Sequence, residues 1–378
     1  MPAPKKVVVI ADKYISFQTK AQSFSSGLKS LGVSVSYLVS QETDFQPDLF
    51  EGADAAIYSG AWIHAKDMAR IQKLTSVPIY PWIVSDAWVD AGYAQLLNQF
   101  DHTFSSSRFS LEILARDGVD RSKLSTLYEA VDTDFFQPDP DFSAKRELKA
   151  ELGFSDDRPV LLTIGGDIIS KGAPSVIRAI EAQKLWDKIH YVLLLNPKAN
   201  NLLNQKLEQL KAEGIPTEEL TILTELFEPT RVRQFYNLSD LYVAPCRFET
   251  FGRPLVEAMA CGKPIVGLQA GSLTETNVDG QTGILVPVED IVTSRAETRV
   301  DLFGETLTYR SDQPIPIHFY PNQEELGEAL KLMLDQPEKR EQMGQAARRR
   351  AVEHFSSKEI AAQFLEWLSA HHRDELGD

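Results

Sequence analysis

Short apolar, β-branched runs alternate with amphipathic stretches from one end of the chain to the other. Residues 7–11, 33–39, 54–59, 77–84, 102–105 and 123–128 read as strands, with helical patterns at 19–31, 65–73 and 107–117 between them. The alternation restarts at 159–164 and continues through strands at 190–195, 220–223, 241–244, 264–266 and 283–286. Its helical stretches are 173–185, 202–213, 228–237 and 254–261. Strands that alternate with helices predict parallel sheets covered on both faces, and two such series predict two doubly wound α/β domains.

The join is expected at Phe136-Gln-Pro-Asp-Pro-Asp141, because proline-rich polar segments are where linkers fall. This gives domains over 1–140 and 141–355. Residues of about 289–321 resist the pattern and read as an inserted hairpin or excursion. Helices follow at 323–334 and 338–370. In open α/β sheets ligands bind beyond the carboxyl ends of the strands, so the loops after strands are the places to search.

Composition narrows the function classes. A chain of 378 residues suits two domains of ordinary size, and 43% hydrophobic with 25% charged residues is near the globular average. The net charge is −15 and each half is acidic, which argues against a non-specific nucleic-acid binder. Cys246 and Cys261 form no C-x-x-C pair, so neither a disulfide scaffold nor a cysteine zinc site is expected. The first apolar run is too short for a signal-peptide core or an integral membrane segment, and the chain reads as cytoplasmic.

The densest chemistry lies between Tyr242 and Val266. A strand ends near Pro245, a loop runs to Gly252, Pro254 suits a first helical turn, and Gly262 suits the position past the helix end. The helix mouth at Gly252–Leu255 offers unpaired N–H groups and a dipole, an anion site. Glu249 and Glu257 stand on either side of it, and a carboxylate can accept from both hydroxyls of a sugar diol. By itself such a pair is equally at home as two surface glutamates.

The wider context resembles the E-x7-E signature of retaining GT-B glycosyltransferases (glycosyltransferase family 4, glycosyl transferases group 1), the nucleotide-sugar enzymes that include glycogen and sucrose synthases. Gly271-Ser-Leu-Thr-Glu275 and Asp279-Gly-Gln-Thr-Gly283 are similar to the usual continuation. Leu161 to Gly172 resembles the diphosphate strand-loop, and Glu129 to Pro138 the end of a first domain. The resemblance implies two Rossmann-like domains facing across a cleft, with a final helix of about Ser356–His371, in the segment of about 356–378, crossing back to complete the first. It implies that Glu257 binds ribose hydroxyls and that Glu249 holds the transferred sugar. Gly165, Gly166, Lys171, Thr250, Phe251, Gly252, Arg253, Pro254 and Leu255 would surround the donor. Hexosyl transfer from a nucleotide diphosphate sugar (a UDP-sugar by family frequency) to a sugar or glycan hydroxyl acceptor would proceed with retention. Neither a metal nor a cofactor beyond the nucleotide-sugar co-substrate is expected.

Three departures stand out. Gly166 occupies a position where the family usually has arginine, and Arg253 is the expected substitute, or else a surface residue. The loop after the first strand, from Asp12 to Lys20, has no glycine. A histidine usual near the end of the fourth strand is missing. Asp86 is the candidate there to orient an acceptor hydroxyl, unless it caps a helix, and His64 is the nearest alternative. Trp62, Trp82 and Trp88 are either sugar-stacking faces, Trp88 foremost, or core. The remaining alternatives are a nucleotide-sugar epimerase, a phosphorylase or a non-catalytic binding protein on the same scaffold. An NAD-dependent dehydrogenase would need the absent G-x-G-x-x-G.

Overall fold

The computed structural model describes residues 4–40, 45–85, 87–294, 297–302, 305–310 and 314–374. It divides into two compact units. One runs to Asp132 and takes in the outer part of the insertion and the chain from Val352 onward; the other holds Thr133–Arg295 and Gln313–Ala351.

The first unit is built on β1 (Lys6–Asp12), β2 (Ser34–Ser40), β3 (Ala55–Ala61), β4 (Ile79–Val84), β5 (Thr103–Ser105) and β6 (Leu124–Thr126). All pair in parallel in the order β2-β1-β3-β4-β5-β6. β1 is an inner strand whose Val7–Ala11 are apolar and buried on both faces, as expected of a strand covered twice. Its Val7 and Val9, with Trp82 and Phe104, pack against Phe24 and Leu28 of the helix Ile15–Ser30. Ile360, Phe364 and Leu368 of the helix Ser357–Asp374 belong to the same core. The two helices touch so closely that a Cβ on Gly27 would lie 1.9 Å from the Ser357 carbonyl oxygen.

The second unit repeats the plan with β7 (Val160–Gly165), β8 (His190–Leu195), β9 (Leu220–Leu223), β10 (Leu241–Ala244), β11 (Ile265–Leu268) and β12 (Gly283–Val286), in the parallel order β12-β11-β10-β7-β8-β9. Strand order reverses between β1 and β3 in the first sheet and between β7 and β10 in the second. These are the switch points where α/β sheets open a ligand crevice.

The residues that resisted the pattern form two antiparallel ladders: β13 (Val288–Thr293) with β16 (Pro316–Pro321), and β14 (Glu297–Leu302) with β15 (Glu305–Arg310). One expectation needs correction. The first helix begins at Ile15, not Thr19, because its first turn exposes Ile15 (72%) and so breaks the apolar periodicity. The helical residues of 338–370 form two helices, Pro337–Phe355 and Ser357–Asp374, the second starting next to the expected Ser356. Val131 pulls the chain out of helical bonding there, donating to the Phe355 carbonyl and accepting from the Ser357 N–H, each at 2.9 Å.

Candidate functional site

The second switch point is flanked by the loops after β7 and β10. Each is shaped by a glycine. At Gly172 φ is +75° and a Cβ would lie 2.2 Å from the Pro245 carbonyl oxygen, so the two loops meet backbone to backbone. At Gly165 a Cβ would strike Lys171 Cγ at 2.3 Å, so the lysine folds across the end of β7. Asp167 accepts from the N–H groups of Ile169 and Ser170, and the Arg247 N–H donates to the Ser170 carbonyl (3.0 Å).

This packing brings together two residues 78 positions apart. Lys171 Nζ donates to Glu249 Oε2 at 2.5 Å, the side chains being 16% and 12% exposed. Burial alone would lower the Lys171 pKa, but the Glu249 carboxylate outweighs it and holds the ammonium above its ordinary value. The Glu249 carbonyl accepts from Ser272 Oγ (2.9 Å), which fixes the loop backbone. Cys246 lies beside the pair, and burial pushes its thiol up to about 12.

The helix Arg253–Ala260 starts from Gly252, whose φ of +86° turns the loop into the helix, with Pro254 in the first turn. Thr250, Phe251 and Leu255 are buried, so what they present to a ligand is backbone. Glu257, one turn in, is also buried. Its Oε1 stands 2.9 Å from Arg253 Nε, and its Oε2 accepts from Tyr236 OH at 2.9 Å. Arg253 is therefore not a surface arginine; it reaches Glu257. Around Gly166 an added Cβ would meet nothing within 4 Å.

In the first unit the switch point holds Asp12, at the end of β1, and His64, after β3. His64 Nε2 is 3.5 Å from Asp12 Oδ2, while Nδ1 accepts from the Ala61 N–H at 3.0 Å. Burial lowers the His64 pKa to about 4, so the ring is neutral at pH 7 and carries its proton on Nε2. Tyr14 and Phe17 from the glycine-free segment pack on the imidazole. Nearby, Asp67 accepts from Tyr58 OH (2.8 Å) and Ser40 Oγ and pairs with Arg70. Trp62 and Trp88 are buried against each other, and Trp82 is pinned in the core by its bond to the Leu127 carbonyl. Asp86 lies outside the described residues.

Sequence reasoning missed Asp12, although a carboxylate ending an apolar strand at a switch point was a usable signal. It also missed Lys20. A lysine in an amphipathic helix reads as solvated, yet Lys20 is 1% exposed. It donates to Ser106 Oγ (2.8 Å), lies 3.9 Å from the Trp82 ring and stands 3.9 Å from Glu129.

Two six-stranded parallel sheets with these strand orders define a GT-B architecture. HepE of Anabaena, solved with UDP and glucose, matches 97% of this chain and 100% of its own with a TM-score of 0.71 at 16% identity. Sucrose-phosphate synthase of Thermosynechococcus elongatus matches 98% and 100%, with a TM-score of 0.70 at 15% identity. Residues 144–297 match the family model described as Glycosyl transferases group 1. The D-inositol 3-phosphate glycosyltransferase of Xylanimonas cellulosilytica is 28% identical over 202 residues, 53% of this chain and 48% of that one. The GDP-mannose-dependent alpha-(1-6)-phosphatidylinositol monomannoside mannosyltransferase of Mycolicibacterium smegmatis is 28% identical over 51% of each. The chain spans about half the length of these curated relatives. Among the described residues no helix is long and apolar enough to cross a membrane.

Proposed function

We propose that this protein transfers a hexosyl group from a nucleoside diphosphate sugar to a hydroxyl acceptor, with retention at the anomeric carbon. The observation that carries the reading is the Lys171–Glu249 pair, set at a switch point beside the helix mouth at Gly252. Lys171 has three N–H donors; one meets Glu249, leaving the others for phosphate oxygens. With the backbone N–H groups of Gly252 and Arg253 it would neutralise the diphosphate as it departs, and such preorganised charge is the usual largest contribution to rate. The pair would at the same time fix Glu249 to accept from hydroxyls of the transferred sugar. Glu257 would accept from the ribose. Each of its oxygens has a further lone pair beyond the ion-pair contact with Arg253 or the hydrogen bond from Tyr236.

In the retaining scheme that the family resemblance implies, the leaving phosphate takes the acceptor proton, so no protein base and no metal are required. The acceptor belongs to the first unit, where Asp12 can accept from a hydroxyl and neutral His64 can donate to one. UDP loses its preference here: one relative is named for GDP-mannose while HepE was solved with UDP, so the proposal commits to the diphosphate and not to the base.

The test is a thermal-shift panel of UDP, GDP, ADP, NAD and their sugar conjugates, with and without magnesium, followed by NMR of the product's anomeric centre. A ligand at a hundred times its dissociation constant adds about 2.7 kcal/mol of stability. Selective stabilisation by one nucleotide sugar, indifferent to magnesium, with a retained product supports the reading. Stabilisation by NAD alone overturns it, and epimerised sugar formed without an acceptor would assign the epimerase instead.

A further inference from the structure

Strand β16 of the insertion lies against the loop that carries Glu249. The Phe319 N–H donates to the Arg247 carbonyl (2.8 Å). The Phe319 ring stacks on Phe248, with centroids 5.9 Å apart and planes at 22°, and the Arg247 guanidinium sits 4.5 Å over the ring of Tyr320. From the other side the Arg247 N–H holds the Ser170 carbonyl, next to Lys171. The residues immediately before Glu249 are thus tied to the lysine's loop through one backbone bond and to the insertion through another, with a ring under each side chain. The ladder is closed at its outer end, where Ser294 and Ile315 bond to each other twice, through the Ser294 N–H (2.8 Å) and through the Ile315 N–H to Ser294 Oγ (3.1 Å). Burial depresses the Arg247 pKa, while Tyr320 and Asp167 oppose that shift, which places the guanidinium among them.

A loop between Ala244 and Arg253 has no ladder of its own to hold a carboxylate in place. We infer that the inserted hairpin is a brace for the transfer site: Phe319 and Tyr320 are positioning residues that set Glu249 against Lys171. This rests on the proposed transferase reading for its consequence in catalysis, though not for the brace itself.

The full chain is compared with its Phe319→Leu, Tyr320→Leu and Tyr320→Phe variants. Without ligand, amide hydrogen exchange over residues 246–251 should quicken about tenfold in the two leucine variants and stay near wild type in Tyr320→Phe, which keeps the ring. With the donor found in the panel above, kcat should fall ten- to a hundredfold in the leucine variants, since a displacement of about 1 Å can cost that much. The dissociation constant of the free nucleoside diphosphate should shift less than about threefold, because the helix mouth and Glu257 are untouched. Unchanged exchange over 246–251 overturns the brace. So does faster exchange spread evenly through the second unit with a matching fall in melting temperature. If the wild type binds no nucleotide sugar, the function falls while the exchange result still decides the brace.

Discussion

Replacing Lys171 by methionine keeps the shape of the side chain and removes its charge. At 2.5 Å, with an effective dielectric near 20, the attraction it makes with Glu249 is about 7 kcal/mol before desolvation is subtracted. What survives subtraction is smaller: removing one partner of a buried pair costs about 3–5 kcal/mol, mostly for the stranded charge. With both side chains slightly exposed, the lower end applies, about 3 kcal/mol. Lys171→Met should therefore destabilise the second unit by that amount in urea denaturation. It should also lower kcat/KM a hundred- to a thousandfold, as loss of one preorganised donor does. Adding Glu249→Gln removes the stranded charge, so the double variant should regain most of the stability and none of the activity. A double variant that recovers turnover would show the pair to be only structural. A single variant with turnover within threefold of wild type would refute the role of Lys171.

Tyr236→Phe deletes the hydroxyl that Glu257 accepts from; a bond to a charged group is worth about 1.5–3 kcal/mol and is already made without ligand, so urea denaturation should show the second unit destabilised by that amount. Gly172→Ala forces a Cβ onto the Pro245 carbonyl at positive φ and should cost about 3 kcal/mol or more with loss of turnover, whereas Gly166→Ala meets open space and should stay within about 0.5 kcal/mol. Burial, and then the nearby His371, lower the His102 pKa to about 4, and His102 packs at 4.4 Å on Trp367 of the last helix. The unfolded histidine binds its proton near pH 6.5. The contribution of His102 is thus complete above that pH and drains away as pH falls towards 4. Urea midpoints between pH 7 and 4 should fall less steeply in His102→Gln.

Much of the framework was legible because buried parallel strands read as unbroken apolar runs. β8, β9, β10 and β12 begin and end where periodicity puts them, and Gly262 stands past its helix end with the positive φ that this place favours. The meeting of Lys171 with Glu249 was not readable from spacing; it depends on β7 and β10 being neighbours, which only a known motif could suggest. Lys20 defeated the pattern because its partners Ser106 and Glu129 are distant in sequence. Phe319 and Tyr320 carried no period at all, since an irregular strand against a loop has none.

The helix Ser357–Asp374 supplies Ile360, Phe364 and Leu368 to the core of the first unit. That core therefore joins residues that precede the second unit in the chain to residues that follow it. At roughly 5–20 residues per second the strands β1 to β6 wait for tens of seconds or less with Phe24 and Trp82 uncovered. The second unit, made in between, can close while the first is still incomplete. During synthesis the second unit can thus complete its core before the first, and the interval in which chaperones have most to cover falls on the residues before Thr133.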